Sequence, residues 1–106
     1  MPTKLKAQFP RRMRVGKKMY SVEIVEAMLD KKIIGNVHYD SQHIAIASRH
    51  PNTGRLLAGA EVRDSFWHEL VHAILHDMGR HNLNRDEVFV TGFANRLSKA
   101  IDSARF

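Results

Sequence analysis

The chain contains no cysteine. This absence excludes disulfide bonds, zinc sites built from thiolates and a cysteine nucleophile, and it fits a reducing compartment. The sequence also has no apolar run as long as the core of a signal peptide or a membrane span. We therefore expect a cytoplasmic protein that makes no contact with a membrane.

Acidic residues are missing from the first 18 positions. That segment holds seven of the 17 Lys and Arg and none of the 11 Asp and Glu, so the remaining chain has slightly more acids than bases. A basic segment can hold a phosphate backbone, or it can be a solvated arm or the outer face of a first strand. Residues 1–18 are therefore a candidate contact for nucleic acid, with the solvated arm as the alternative.

The length and the apolar pattern predict one soluble domain over residues 1–106, with 43% hydrophobic residues. Residues 12–26 alternate loosely and predict two short strands around a turn at Gly16. A second pair of strands is predicted at 37–39 and 43–47, joined by a hairpin turn at 40–42. Residues 27–34 are either a helical turn or an irregular link, and Gly35 with Asn36 is predicted to break the chain.

Two helices are predicted in the second half of the chain. The first begins near Asp64, a good N-cap, and ends at Met78 and Gly79, where glycine suits the left-handed position after a helix. The second runs from about Asn84 to about Ala104. A sheet of three or four strands followed by two helices predicts an α+β fold.

The first helix has a narrow polar stripe. At 100° per residue, His68, Glu69 and His72 lie within a 100° arc. Apolar residues cover more than half of the circumference, which predicts a largely buried helix. Since a solvated helix face would normally carry Lys, Arg, Glu and Gln, a stripe of histidine and glutamate needs another explanation.

Zinc binding explains this stripe. Two imidazoles at positions i and i+4, His68 and His72, lie one turn apart and can both reach a single ion. Glu69 lies beside them and can reach a zinc-bound water without binding the metal, which is the arrangement of a His-Glu-x-x-His metallopeptidase. We therefore predict hydrolysis of peptide bonds in a protein or peptide substrate, with Glu69 as the base. The alternative is a pair of buried histidines with a structural role.

A third zinc ligand has to come from elsewhere in the chain. His76 extends the i, i+4 series but lies a further turn, ~5.4 Å, along the helix axis, so we expect it outside the ligand set. Asp86 and Glu87 flank the inward face of the second helix, and periodicity does not choose between them. The longer side chain favours Glu87. The segment from Asn84 to Glu87 also resembles a capping box, which would give Glu87 a local role instead.

The run from Phe66 to Leu75, the short loop after it, and Asp86 and Glu87 leading into Phe93 resemble the minimal gluzincin metallopeptidases. These include minigluzincins and small phage and prokaryotic proteins of SprT-like and ImmA/IrrE-like type. The resemblance implies a twisted, mainly antiparallel sheet before an active-site helix and a glutamate-bearing helix. It implies zinc at His68, His72 and Glu87, with Glu69 as general base. It also implies that an edge strand near 43–47 pairs with an extended substrate.

Two other functions fit parts of the sequence. In one, residues 1–18 hold DNA while the zinc site acts on a bound protein. In the other, a non-catalytic protein uses zinc to stabilise a small core, although such a site has no use for Glu69. The resemblance assigns no residue that stabilises the transition state, and Tyr39, His43 and His81 are candidates by their chemistry alone.

Overall fold

The computed structural model describes residues 9–106, so the first eight residues of the basic segment 1–18 lie outside the described part of the chain. Four strands come first: β1 (Arg12–Val15), β2 (Lys18–Val25), β3 (Gly35–His38) and β4 (His43–Ala47). Three helices follow: α1 (Gly59–Asp77), α2 (His81–Asn84) and α3 (Glu87–Ser103). The predicted α+β fold is confirmed, and the undecided residues 27–34 form an irregular link of bends and turns.

The sheet is mixed, with the strand order β1-β2-β4-β3. Both hairpin pairs are antiparallel, and β2 pairs with β4 in parallel. The expectation that an edge strand lies near 43–47 is wrong, because β4 is an interior strand and β3 forms that edge. The side chains of β4 explain this position. Four of its five residues are buried, which requires neighbours on both sides and on both faces.

Gly35 and Asn36 do not break the chain, as the sequence suggested, but begin β3. A Cβ atom at Gly35 would lie 3.3 Å from the side chain of Glu69 and 3.3 Å from Ile46. These separations are tighter than ordinary van der Waals contact. The glycine therefore reflects a close approach between β3 and α1 and not a turn.

Helix α1 begins five residues before the predicted start at Asp64, with Ala58 as its N-cap. Ala58 has no side chain that can cap a helix. Instead, the carboxylate of Glu61 accepts a hydrogen bond from the backbone N–H of Ala58 at 3.0 Å. Because Ala58 is not a typical N-cap residue, the sequence does not indicate this start. The predicted end is confirmed, because Met78 is the C-cap and Gly79 has a φ of 71°.

Helix α1 lies between the sheet and α3, which accounts for its wide apolar surface. Phe66 and Ala73 pack with Ile44 and Ile46 of the sheet, while the opposite side of α1 contributes to a second cluster of Val71, Leu75, Val90 and Ala94. Only a narrow stripe of the helix is left for polar residues. Despite its apolar composition, neither α1 nor another helix within residues 9–106 combines the length and hydropathy needed to cross a membrane.

The N-terminus of α3 differs from the predicted capping box. Asn84 is the last residue of the short helix α2, and Asp86 is the N-cap of α3. The Asp86 carboxylate accepts a hydrogen bond from the backbone N–H of Phe89 at 3.1 Å. Because the cap lies two residues later than predicted, Glu87 is the first residue of α3 and its side chain is free to reach towards α1.

Candidate metal centre

Three side chains that can bind a metal converge where α1 meets the start of α3. His68, His72 and Glu87 each offer one ligand atom, and these atoms lie within 4.8 Å of one another. The two histidines face the same side of α1 because they are one helical turn apart. The structure thus brings Glu87 to the histidines and leaves Asp86 at the helix cap.

The separations between these atoms match the size of a metal site. The two Nε2 atoms of His68 and His72 are 3.2 Å apart. The Glu87 carboxylate lies 3.2 Å from His68 Nε2 and 2.9 Å from His72 Nε2. Two atoms that bind one zinc ion at about 2.0–2.1 Å in a tetrahedral arrangement are roughly 3.3 Å apart. The three donors therefore fit around one ion.

The ring of His72 is oriented by Asn84. The Nδ1–H group of His72 donates to Asn84 Oδ1 at 2.6 Å, and Asn84 Nδ2 donates to the Tyr39 hydroxyl at 3.0 Å. Since an amide oxygen can only accept, the proton of a neutral His72 lies on Nδ1. Nε2 then keeps its lone pair, which is the form of imidazole that binds a metal.

This orientation places two electron-rich atoms against each other. The lone pair of His72 Nε2 faces a Glu87 carboxylate oxygen at 2.9 Å. Two acceptors at this distance repel unless a cation lies between them. That cation is either a proton, which makes His72 an imidazolium, or a metal ion.

The environment of His68 favours the neutral ring. Burial lowers the pKa of His68 below its ordinary value, and the neighbouring His72 acts in the same direction, while Glu87 opposes the shift. A neutral imidazole is the species that binds a metal. The side chain of His68 is 24% exposed and that of Glu87 is 63% exposed, so the centre opens towards solvent on the side of α3.

Glu69 lies beside the ligand cluster and is only 8% exposed. Its carboxylate makes no hydrogen bond or ion pair to another residue within the described range 9–106. Burial raises the pKa of Glu69 to about 7, with the charge of Glu87 adding to the shift and His72 opposing it. A carboxyl group with this pKa can take up and release a proton near neutral pH.

A cavity of about 420 Å³ gives access to Glu69 and His68. One wall is residues 32–35, which lead into β3. The other wall is α1, which contributes Glu61, Asp64, Ser65, His68 and Glu69. The early start of α1 matters here, because it places Glu61 on the same helix as the candidate ligands. The cavity lies within the size range of small-ligand sites.

Other histidines of the sequence lie outside the ligand cluster. The ring of His76 stacks on Tyr39 with 3.9 Å between centroids. His81 is exposed at the start of α2, 5.7 Å from His76 between ring centroids. His43 lies on the face of the sheet opposite α1, where Ser21 donates to its Nδ1 at 2.6 Å. Neither His43 nor His81 belongs to the cluster of His68, His72 and Glu87.

The contact of Asn84 with His72 is not evident from the sequence, because the position of Asn84 before Glu87 also fits a helix cap. The residue type gives a weak signal, since the side-chain oxygen of Asn can accept the ring N–H of a histidine. Its partner His72 is twelve positions away, and only the loop between α1 and α3 brings the two together. Tyr39, a candidate for stabilising the transition state, contacts Asn84 and His76 instead of a ligand atom.

Comparison with known proteins adds no further assignment: no protein-family model, curated protein or solved structure matches the chain. The gluzincin resemblance therefore rests on the motif residues and their spacing. The convergence of His68, His72 and Glu87 does not depend on that resemblance.

Proposed function

We propose that the protein is a zinc-dependent peptidase that hydrolyses peptide bonds in a protein or peptide substrate. His68, His72 and Glu87 hold the metal, and Glu69 acts as general base. The observation that carries the proposal is the convergence of two imidazole nitrogens and one carboxylate beside a second, buried carboxyl group, that of Glu69, which has no hydrogen-bond or ion-pair partner within residues 9–106.

The donor set supports zinc in a catalytic role. Imidazole and carboxylate are common zinc ligands, and catalytic sites use three protein ligands where structural sites use four. Within residues 9–106 the cluster comprises three residues, without a fourth His, Asp or Glu. This count favours an enzyme over a non-catalytic protein that uses zinc to stabilise its core.

The proposed reaction divides the work between the metal and Glu69. Zinc supplies a Lewis acid that lowers the pKa of water towards ~7 and polarises the scissile carbonyl. Glu69 accepts a proton from the attacking water and returns it to the nitrogen of the leaving amine. The pKa of Glu69, about 7, suits both transfers. Asn84 keeps Nε2 of His72 directed at the metal.

The substrate is proposed to lie along β3. This strand forms an edge of the sheet, its first residue Gly35 lies against Glu69, and the residues that lead into it line the cavity. An extended peptide can add to such an edge through main-chain hydrogen bonds. The pairing that the family resemblance implied for 43–47 is thereby assigned to the neighbouring strand.

The test compares wild-type protein with Glu69→Gln, both loaded with zinc. Each is incubated with a mixture of random-sequence peptides, cleavage is followed by mass spectrometry, and zinc affinity is measured by titration calorimetry. We expect cleavage by the wild type to fall by about 10²–10⁴-fold in Glu69→Gln, with zinc affinity retained. Equal cleavage by both proteins would contradict the role of Glu69. Zinc binding without cleavage by the wild type would support the non-catalytic alternative.

A further inference from the structure

The basic residues at the start of the described chain collect on one hairpin. We call these residues the basic hairpin: Arg11 directly before β1, Arg12 and Arg14 on β1, Lys17 in the turn and Lys18 at the start of β2. All five side chains are exposed. None of them forms an ion pair with another residue in the part of the chain that the structure describes.

Acidic groups near the basic hairpin do not neutralise it. Glu23 is exposed on β2, but its carboxylate accepts a hydrogen bond from His43 Nε2 at 3.2 Å. Asp77, at the end of α1, lies against Gly16 in the turn of the hairpin. The five cations of the basic hairpin thus outnumber these two carboxylates, and the sequence of residues 1–8 contains two more lysines and no acid. Such a concentration of positive charge attracts polyanions.

The two arginines of β1 lie on the same face of the sheet. Met13 and Val15 of β1 pack into the core. Side chains alternate along a strand, so Arg12 and Arg14 share the face opposite α1. They lie opposite Ser21 and Met19 of β2, respectively. β1 is the sheet edge farthest from β3, so an anion bound here leaves the cavity beside Glu69 open.

We propose that the basic hairpin binds the phosphate backbone of double-helical nucleic acid without reading its sequence. This inference is independent of the metal chemistry. Single strands are usually bound by stacking bases on exposed aromatic rings. The aromatic residues of the chain between 9 and 25 are Phe9 and Tyr20, and both are buried. Binding to a membrane surface would require several apolar anchors. Among residues 9–25, Met19 is the one large apolar side chain that is exposed, so a membrane is the poorer fit.

A competing explanation comes from the position of β1 at a sheet edge. Charged side chains on an edge strand prevent it from pairing with another copy of the protein. In that case, removing the charges would cause self-association and leave any nucleic-acid binding unchanged. The two explanations therefore predict different outcomes for the same variant.

The test uses the full chain and a fluorescein-labelled 20-base-pair DNA duplex, with affinity measured by fluorescence anisotropy between about 50 and 200 mM salt. The matched variants are Arg12→Gln/Arg14→Gln in the basic hairpin and Arg96→Gln/Lys99→Gln on α3, which remove the same charge. We expect micromolar binding by the wild type. The slope of log affinity against log salt should fall by about 2 in the hairpin variant and stay unchanged in the control.

Several outcomes would overturn the proposal. One is the absence of duplex binding by the wild type at the lowest salt concentration. Another is an equal loss of slope in both variants, which would show that binding follows net charge. Tighter binding to an oligothymidine strand or to anionic phospholipid vesicles would assign the surface to another partner. Self-association of Arg12→Gln/Arg14→Gln with an unchanged slope would identify the charges as edge protection.

Discussion

Several charged side chains around α1 have partners of opposite charge or hydrogen-bond partners, whereas those of the basic hairpin form no ion pair within residues 9–106. Near α1, Arg55 donates twice to Glu61, Arg63 donates to Asp102, and Glu87 contacts two histidines. On the hairpin no such partner is found within the described residues. Removing a member of the first group leaves its partner uncompensated, whereas removing a hairpin cation leaves nothing uncompensated. The comparison separates charges that build a site within the protein from charges that are available to a partner.

The largest effect is expected from breaking the ligand pair on α1. His72→Ala should reduce the zinc content of protein purified without added metal from about one ion per chain to nearly none, because metal binding needs all of its ligands. Metal analysis of the purified variants measures this. His76→Ala is the matched control, since His76 lies one turn further along the same helix and should not affect zinc content. Full zinc content in His72→Ala would refute the assignment.

The two neighbouring carboxylates at the start of α3, Asp86 and Glu87, should have different effects on zinc binding. Glu87→Ala should lose the stabilisation that zinc gives the folded state, about 2.7 kcal/mol when free zinc is 100 times the dissociation constant. Asp86→Ala should lose the helix cap, about 1 kcal/mol, with zinc affinity unchanged. Thermal melting with and without zinc distinguishes the two effects.

The opposite pattern would exchange the roles of Asp86 and Glu87. If neither variant changed the zinc dependence of melting, the third ligand would lie elsewhere in the chain. The structure predicts neither outcome, because the Asp86 carboxylate holds the backbone of Phe89 while Glu87 faces the histidines.

A smaller effect is expected at Asn84, which touches the site through His72. Asn84→Ala should weaken zinc binding by about 10–100-fold, since the His72 ring loses the partner that fixes its orientation. Asn84→Asp should retain most of the affinity, because a carboxylate oxygen also accepts from Nδ1–H. Titration calorimetry measures both variants. Equal losses in Ala and Asp would show that the side chain acts through the fold of α2 and not through this hydrogen bond.

The smallest effect is expected from substitutions in the basic hairpin, measured as a change in the free energy of unfolding. Arg12→Gln/Arg14→Gln should change the free energy of unfolding by no more than about 0.5 kcal/mol, because both side chains are exposed and form no ion pair with the described residues. Chemical denaturation measures this value. A loss of several kcal/mol would mean that these arginines stabilise the sheet and would remove the contrast between the two regions.

Local patterns in the sequence were sufficient for the helix that carries His68 and His72 and for both hairpins. Gly16 and Gly79 both adopt positive φ angles, which glycine favours, and these turn positions therefore agree with the structure. The start of α1 is not evident from the sequence because Ala58 cannot cap a helix with its own side chain, and its backbone N–H donates instead to Glu61, three residues later. A backbone N–H satisfied from within the helix leaves no residue type to recognise at the N-cap.

The periodicity of the sequence does not predict which strands and helices contact each other. The parallel pairing of β2 with β4 places β3 at the edge, and no local signal distinguishes this order from a simple meander. The same limit applies to the candidate site. The residue types indicate Asp86 and Glu87 as candidates for the third ligand. Which of the two faces the histidines depends on where α2 ends and α3 begins. The link from Asn84 to His72 has the same origin.

The measurement that tests the central claim most directly is an anomalous difference map from zinc-loaded crystals, recorded at the zinc absorption edge. The account predicts one strong peak about 2.0–2.2 Å from Nε2 of His68, Nε2 of His72 and a carboxylate oxygen of Glu87, with Glu69 outside bonding distance. A peak bound by other residues, a peak bonded directly to Glu69, or no peak at this cluster would contradict it.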